Sequence, residues 1–126
     1  MTNYYISNYL ILRREQIFEG KVNIKAKINI NKKELIAYCE KSGIKSLSLF
    51  GSVLREDFNS ESDIDILVQF EEGKVPGLIG FVRIQNELSE FFEGYPVDMV
   101  TLKALRGQNR KKEILESSEV FYAKAS

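Results

Sequence analysis

The sequence predicts an α+β sandwich, a small mixed sheet covered by helices. Three observations carry this. Short apolar runs of strand length alternate with longer stretches whose apolar residues recur at helical spacing. Glycines at 43, 51 and 94 stand at joints between them. One run, "DIDILVQF" at 63–70, has large apolar residues on both faces, as a strand inside a sheet does. With 126 residues, 44% of them apolar, the chain suits one domain with a modest core.

The elements follow in order. Residues 4–18 are ambiguous, with "ILRREQIF" leaning helical. "KVNIKAKINI" alternates strictly, with Val22, Ile24, Ala26, Ile28 and Ile30 on one face, and reads as an edge strand. Residues 1–30 thus form an N-terminal extension, and 31–126 the domain proper. Asn31 with Glu34 is a capping pair, so a helix is expected over 32–42, presenting Leu35, Ile36 and Cys39 and ended by Gly43. "IKSLSLF" is a strand, "SVLRED" a short helix or turn, and "FNSES" a polar loop. A helix over 78–92 presents Leu78, Phe81, Val82, Ile84, Leu88, Phe91 and Phe92. "YPVDMVTL" is a strand, "GQNRKKEILESS" a helix and "VFYA" a last short strand.

Composition narrows the chemistry. Lys plus Arg equals Asp plus Glu, 18 against 18, so direct nucleic-acid binding is not expected. Cys39 is alone, which excludes an intrachain disulfide. No apolar run is long enough to span a membrane, and the N-terminus does not read as a signal peptide, so a cytoplasmic protein is expected. There is no histidine, so His-dependent triads and His-ligated zinc are impossible. Acid–base or metal chemistry must rest on carboxylates, Lys, Tyr or the one Cys.

Carboxylates are unusual inside apolar strands, yet Asp63 and Asp65 open the most apolar one. Residues two apart on a strand share a face, so the two converge and repel. A hard divalent cation relieves that repulsion. Asp98 lies between Val97 and Met99 in another strand. If those strands are neighbours, three acids meet, enough for two ions in phosphoryl or nucleotidyl transfer. As a structural cap, Asp98 would have no such role. Gly51 allows close backbone approach, and the N–H groups of Ser52 and Val53 with the Ser52 hydroxyl can cradle phosphate oxygens. Arg55 can reach a phosphate or pair with Asp57 or Glu61.

The spacing Gly51-Ser52, ten residues, Asp63-x-Asp65, then Asp98, resembles the signature of the DNA polymerase β-type nucleotidyltransferases. With Arg55 and Ser62, "LFGSxxR…SDIDILV…VDMV" is similar to the minimal nucleotidyltransferases (MNT), the antitoxin partners of HEPN toxins. The resemblance covers about residues 32–122. Glu56 stands where that family commonly has glycine, and residues 1–30 have no counterpart in its minimal members.

The resemblance implies a nucleotidyltransferase fold with helices mainly on one face of a small mixed sheet. It implies transfer of AMP from ATP to a hydroxyl, with two magnesium ions (Mg²⁺). Asp63, Asp65 and Asp98 would be catalytic and hold metal; Gly51, Ser52 and Arg55 would hold the nucleotide. The implied partner and substrate is a HEPN-domain RNase toxin, adenylylated on tyrosine, which makes the chain an antitoxin in a hetero-oligomer. A small-molecule nucleotidyltransferase of the aminoglycoside-modifying type, and an antitoxin acting by binding alone, remain as alternatives.

Overall fold

The computed structural model of the chain describes residues 28–124. They form α1 (Lys32–Lys41), β1 (Ile44–Phe50), a 3-10 turn (Gly51–Leu54) and β2 (Ile64–Phe70). Then come α2 (Leu78–Phe91), β3 (Val97–Thr101), a 3-10 turn (Leu102–Ala104), α3 (Gln108–Ser117) and β4 (Glu119–Ala123). Every helix and strand expected from residue 31 onward is present.

Local chemistry sets the joints. Asn31 is extended, and its side chain accepts the Glu34 N–H at 3.1 Å, which starts α1. Leu35 and Cys39, four apart, are its buried residues. After Ser42 caps the helix, Gly43 at φ +73° turns the chain into β1.

The sheet order is β3-β2-β1-β4. β1 is antiparallel to β2 and β4, while β2 and β3 are parallel, so the sheet is mixed. β2 is interior, as its two apolar faces require. α2 connects the parallel pair, which a tight turn cannot do.

The faces differ. Ile64, Ile66, Val68 and Phe70 of β2 join Leu35, Cys39, Ile84, Leu88 and Phe92 in the main core, under α1 and α2. Leu67 points the other way and packs with Leu102, Leu105, Ile114 and Leu115, under α3. Two of the three described helices therefore share one face, as expected.

Two expectations need correction. Ile28 to Ile30 form no strand: Ile28 and Ile30 pack against the main core, and the Asn29 N–H donates to Glu93 Oε1 at 2.7 Å. The rest of the expected edge strand lies outside the described residues. On α2, Leu78 and Val82 do not face the core; with Ile79 and Val75 they are exposed. Their helical spacing matches that of the core-facing residues, but among the described residues no element covers them.

Candidate active site

β1 delivers the Gly-Ser turn to β2. Phe50 pairs with Asp65, so the chain turns at Gly51 directly beside that acid. Gly51 has φ +75°, and a Cβ there would overlap Asp65 Oδ2 and lie 3.1 Å from its Cγ. Both backbone and space therefore require glycine. The Ser52 hydroxyl is 3.5 Å from the carbonyl oxygen of Asp63, at the limit of a hydrogen bond, joining the turn to the entry of β2.

The parallel register sets Asp65 directly opposite Asp98. Neighbouring strands lie about 4.8 Å apart, so these two acids are adjacent. Asp63 immediately precedes β2, two residues before Asp65, close enough for its charge to act on that carboxyl. Asp63 and Asp98 are exposed, and Asp65 is half-buried. Burial pushes the Asp65 carboxyl above the usual carboxylate range, and the charges of Asp98 and Asp63 add to this, while Arg55 opposes it. The charge conflict expected of the cluster falls on Asp65.

Arg55 pairs with Asp57, Nε to Oδ1 at 3.1 Å, with both side chains well exposed. It lies close enough to Asp65 to be felt there, but its hydrogen bond is to the loop. That loop holds itself together: Asn59 N–H donates to Ser62 Oγ at 3.0 Å, and Glu61 N–H donates to Asn59 Oδ1 at 2.8 Å. Phe58 anchors it against Tyr95, with ring centroids 5.1 Å apart.

The sequence reading passed over what holds the segment before and after Asp98. Pro96 O accepts the Ile64 N–H at 2.8 Å. The Ser89 hydroxyl donates to Tyr95 O at 2.6 Å, and Gln85 Oε1 accepts the Met99 N–H at 3.0 Å. No sequence signal singles out Gln85 and Ser89: polar residues next to buried Ile84 and Leu88 are what an amphipathic helix ordinarily carries, and the groups they bond are backbone atoms. Cys39 is removed from this chemistry, since burial pushes its thiol up to about 12.

The donor set fits a hard divalent cation by type: carboxylates on one face, one of them bearing the neighbours' charge. The fit is chemical rather than preassembled. Among the described residues, no three Asp, Glu or Cys side chains are already gathered into a metal-sized cluster.

The nucleotidyltransferase domain family matches residues 32–121. The chain belongs to the nucleotidyltransferase family. A provisionally named protein adenylyltransferase of Methanocaldococcus jannaschii is 38% identical over 96 residues, 75% of this chain and all of the relative. The protein adenylyltransferase MntA of Thermococcus cleftensis is 34% identical over 93 residues, 74% of this chain and 88% of that one.

Among solved structures, a provisionally described minimal nucleotidyltransferase superposes with TM-score 0.57 at 29% identity, covering 69% of this chain and 85% of that one. A toxin–antitoxin complex with AMP-PNP has TM-score 0.59 at 18% identity, covering 75% of each chain, and shares the fold. These relatives place the chain among the minimal nucleotidyltransferases, beside the MntA-type protein adenylyltransferases, as the motif resemblance implied. It is an enzyme of the nucleotidyltransferase class.

Proposed function

We propose that this nucleotidyltransferase is an antitoxin that transfers AMP from ATP to a tyrosine hydroxyl of a HEPN-family ribonuclease toxin and so silences it. The observation that carries the reading is the Asp65–Asp98 register beside Gly51. It sets acids from two neighbouring strands beside a glycine turn that closely approaches one of them. Kinship with protein adenylyltransferases supports a protein acceptor, and the fold shared with toxin–antitoxin complexes supports a toxin as that acceptor. The cytoplasm, where ATP is abundant, is the compartment this reading requires.

In the proposed reaction the Ser52 and Val53 N–H groups and the Ser52 hydroxyl hold the triphosphate. Asp63, Asp65 and Asp98 would hold Mg²⁺, which supplies charge neutralisation for the phosphates when bound. Asp98, on the edge strand, takes the proton of the incoming hydroxyl. The tyrosine oxygen bonds to the α-phosphorus, the bond to the β-phosphate bridging oxygen breaks, and pyrophosphate leaves. Alignment and charge neutralisation lower the barrier. Arg55 would assist only by leaving Asp57 for a phosphate.

Intact-mass measurement of the toxin after incubation with this protein and Mg-ATP tests the reading. The expected result is addition of AMP, dependent on Mg²⁺ and lost with Asp63→Ala or Asp98→Ala. Unchanged toxin mass together with full neutralisation would instead establish inhibition by binding alone. Transfer to an aminoglycoside but not to the toxin would establish a small-molecule acceptor.

A further inference from the structure

Asp98 sits on an edge strand. Among the described residues β3 pairs only with β2, so its outer side lacks a second strand to fix it. An edge strand can twist and fray, and a residue on it is held less firmly than Asp65 on the interior strand β2. In-line transfer needs the two acids in a fixed relation.

The outer side is held by a helix instead. Gln85, half-buried on α2, accepts the Met99 N–H at 3.0 Å. That N–H belongs to the peptide unit joining Asp98 to Met99. The unit is planar, so holding its N–H restrains the rotation about the Cα–C bond of Asp98 and with it the direction of the Cα–Cβ bond. One helical turn later, Ser89 donates to Tyr95 O at 2.6 Å. Gln85 and Ser89 therefore grip residues 95 and 99 from the same face of α2, and Asp98 lies between the two grips. Gln85 and Ser89 both sit at the edge of the apolar face, next to buried Ile84 and Leu88, and are half-buried, which brings their polar atoms within reach of the backbone of the β3 segment.

We propose that Gln85, supported by Ser89, is a positioning residue for Asp98, fixing its peptide unit from the open side of β3. This rests on the proposed role of Asp98 in transfer. The polar contact of Gln85 is with the Met99 backbone N–H. It acts only through the backbone, so it should govern turnover and not nucleotide binding.

The test compares unaltered protein, Gln85→Ala and Gln85→Glu, with a HEPN-family toxin and Mg-ATP as substrates. A glutamate keeps an oxygen acceptor for the Met99 N–H; alanine does not. Gln85→Ala should lower kcat about ten- to a hundredfold, the range that small misplacements produce. Its KM for ATP should stay within about twofold, because the Gly51–Ser52 turn is untouched. Gln85→Glu should restore most of the lost turnover. Amide hydrogen exchange, read without any substrate, should speed up at Met99 in Gln85→Ala and not in Gln85→Glu.

Unchanged kcat in Gln85→Ala overturns the inference while leaving the adenylyltransferase reading intact. So does a parallel loss of kcat, ATP affinity and melting temperature, which would mark Gln85 as structural only. So does failure of Gln85→Glu to restore turnover while Met99 remains protected. Absence of AMP transfer by the unaltered protein overturns both readings, even with Met99 exchanging as expected.

Discussion

The face of the sheet under α1 and α2 is apolar along the whole of β2, from Ile64 to Phe70. The face under α3 is apolar around Leu67 but acidic where Asp65 and Asp98 stand. Adjacent residues of one strand therefore serve opposite ends. Ile66 stabilises the fold by leaving water, whereas Asp65 costs stability because its charge is half-buried among like charges. Stability and chemistry share a backbone here but occupy different sides of it.

The sharpest way to break this comparison is to alter neighbours. Ile66 is fully buried, so Ile66→Ala should cost about 2–5 kcal/mol, the range for large-to-small core changes. The urea midpoint, at unchanged m-value, measures it. A loss below about 1 kcal/mol would show a core face loose enough to collapse, and the contrast with the acidic face would fail.

The next effect crosses between strands. Gly51→Ala places a side chain at φ +75° and onto the Asp65 carboxylate. Backbone strain of this type costs about 1–3 kcal/mol. AMP transfer should disappear, because the displaced carboxylate is one of the proposed ligands. Combining Gly51→Ala with Asp65→Ala should recover part of the lost stability, since the overlap is gone and only the φ strain remains. Strict additivity of the two in a double-mutant cycle would contradict the contact.

The contrast also explains what the sequence made legible. Strands and helices after residue 31 could be read because their apolar periods and caps are local, as with Asn31 and Glu34 for α1. The closeness of Asp63 and Asp65 was legible for the same reason: two residues of separation at the entry of one strand leave their charges in reach of each other. The Asp65–Asp98 pairing was a conditional expectation, because strand adjacency depends on the β2–α2–β3 connection rather than on either strand alone. The Gln85–Met99 bond was not read at all. It joins a side chain to a backbone group, and backbone groups leave no mark in a sequence. Leu78 and Val82 misled because helical spacing shows which residues share a side, not whether anything covers that side.

A smaller effect, opposite in sign to the core change, belongs to Asp65. Its carboxyl is raised in the fold by burial and by Asp98 and Asp63. A raised carboxyl favours the protonated form, so its contribution to stability is complete below the unfolded value of about 3.9 and is lost as pH rises through the folded one. Asp65→Asn should therefore melt with the unaltered protein at low pH and above it at neutral pH. Melting temperatures across pH 3–7 check this. A variant less stable than the unaltered protein at neutral pH would mean that Asp65 is a structural ligand of its own surroundings. Asp98→Asn should narrow the same gap from the other strand.

The smallest effect is expected on the outer side of α2, where the apolar face under that helix meets its limit. Ile79 is 85% exposed and Leu78 81%, while Ile84, five residues on from Ile79, is buried. An exposed side chain gains almost nothing from folding, because its surface meets water in both states. Serine is also only slightly worse than isoleucine as a helix former. Ile79→Ser should therefore change stability by no more than about 0.5 kcal/mol, the usual range for surface positions. Ile84→Ala on the same helix should cost about 2–5 kcal/mol. Urea melts of the two variants side by side read the difference. If Ile79→Ser costs as much as Ile84→Ala, Ile79 is buried in solution. The core under α2 would then continue over the outside of the helix, and the division of labour between the two sheet faces would have to be redrawn around a third apolar surface.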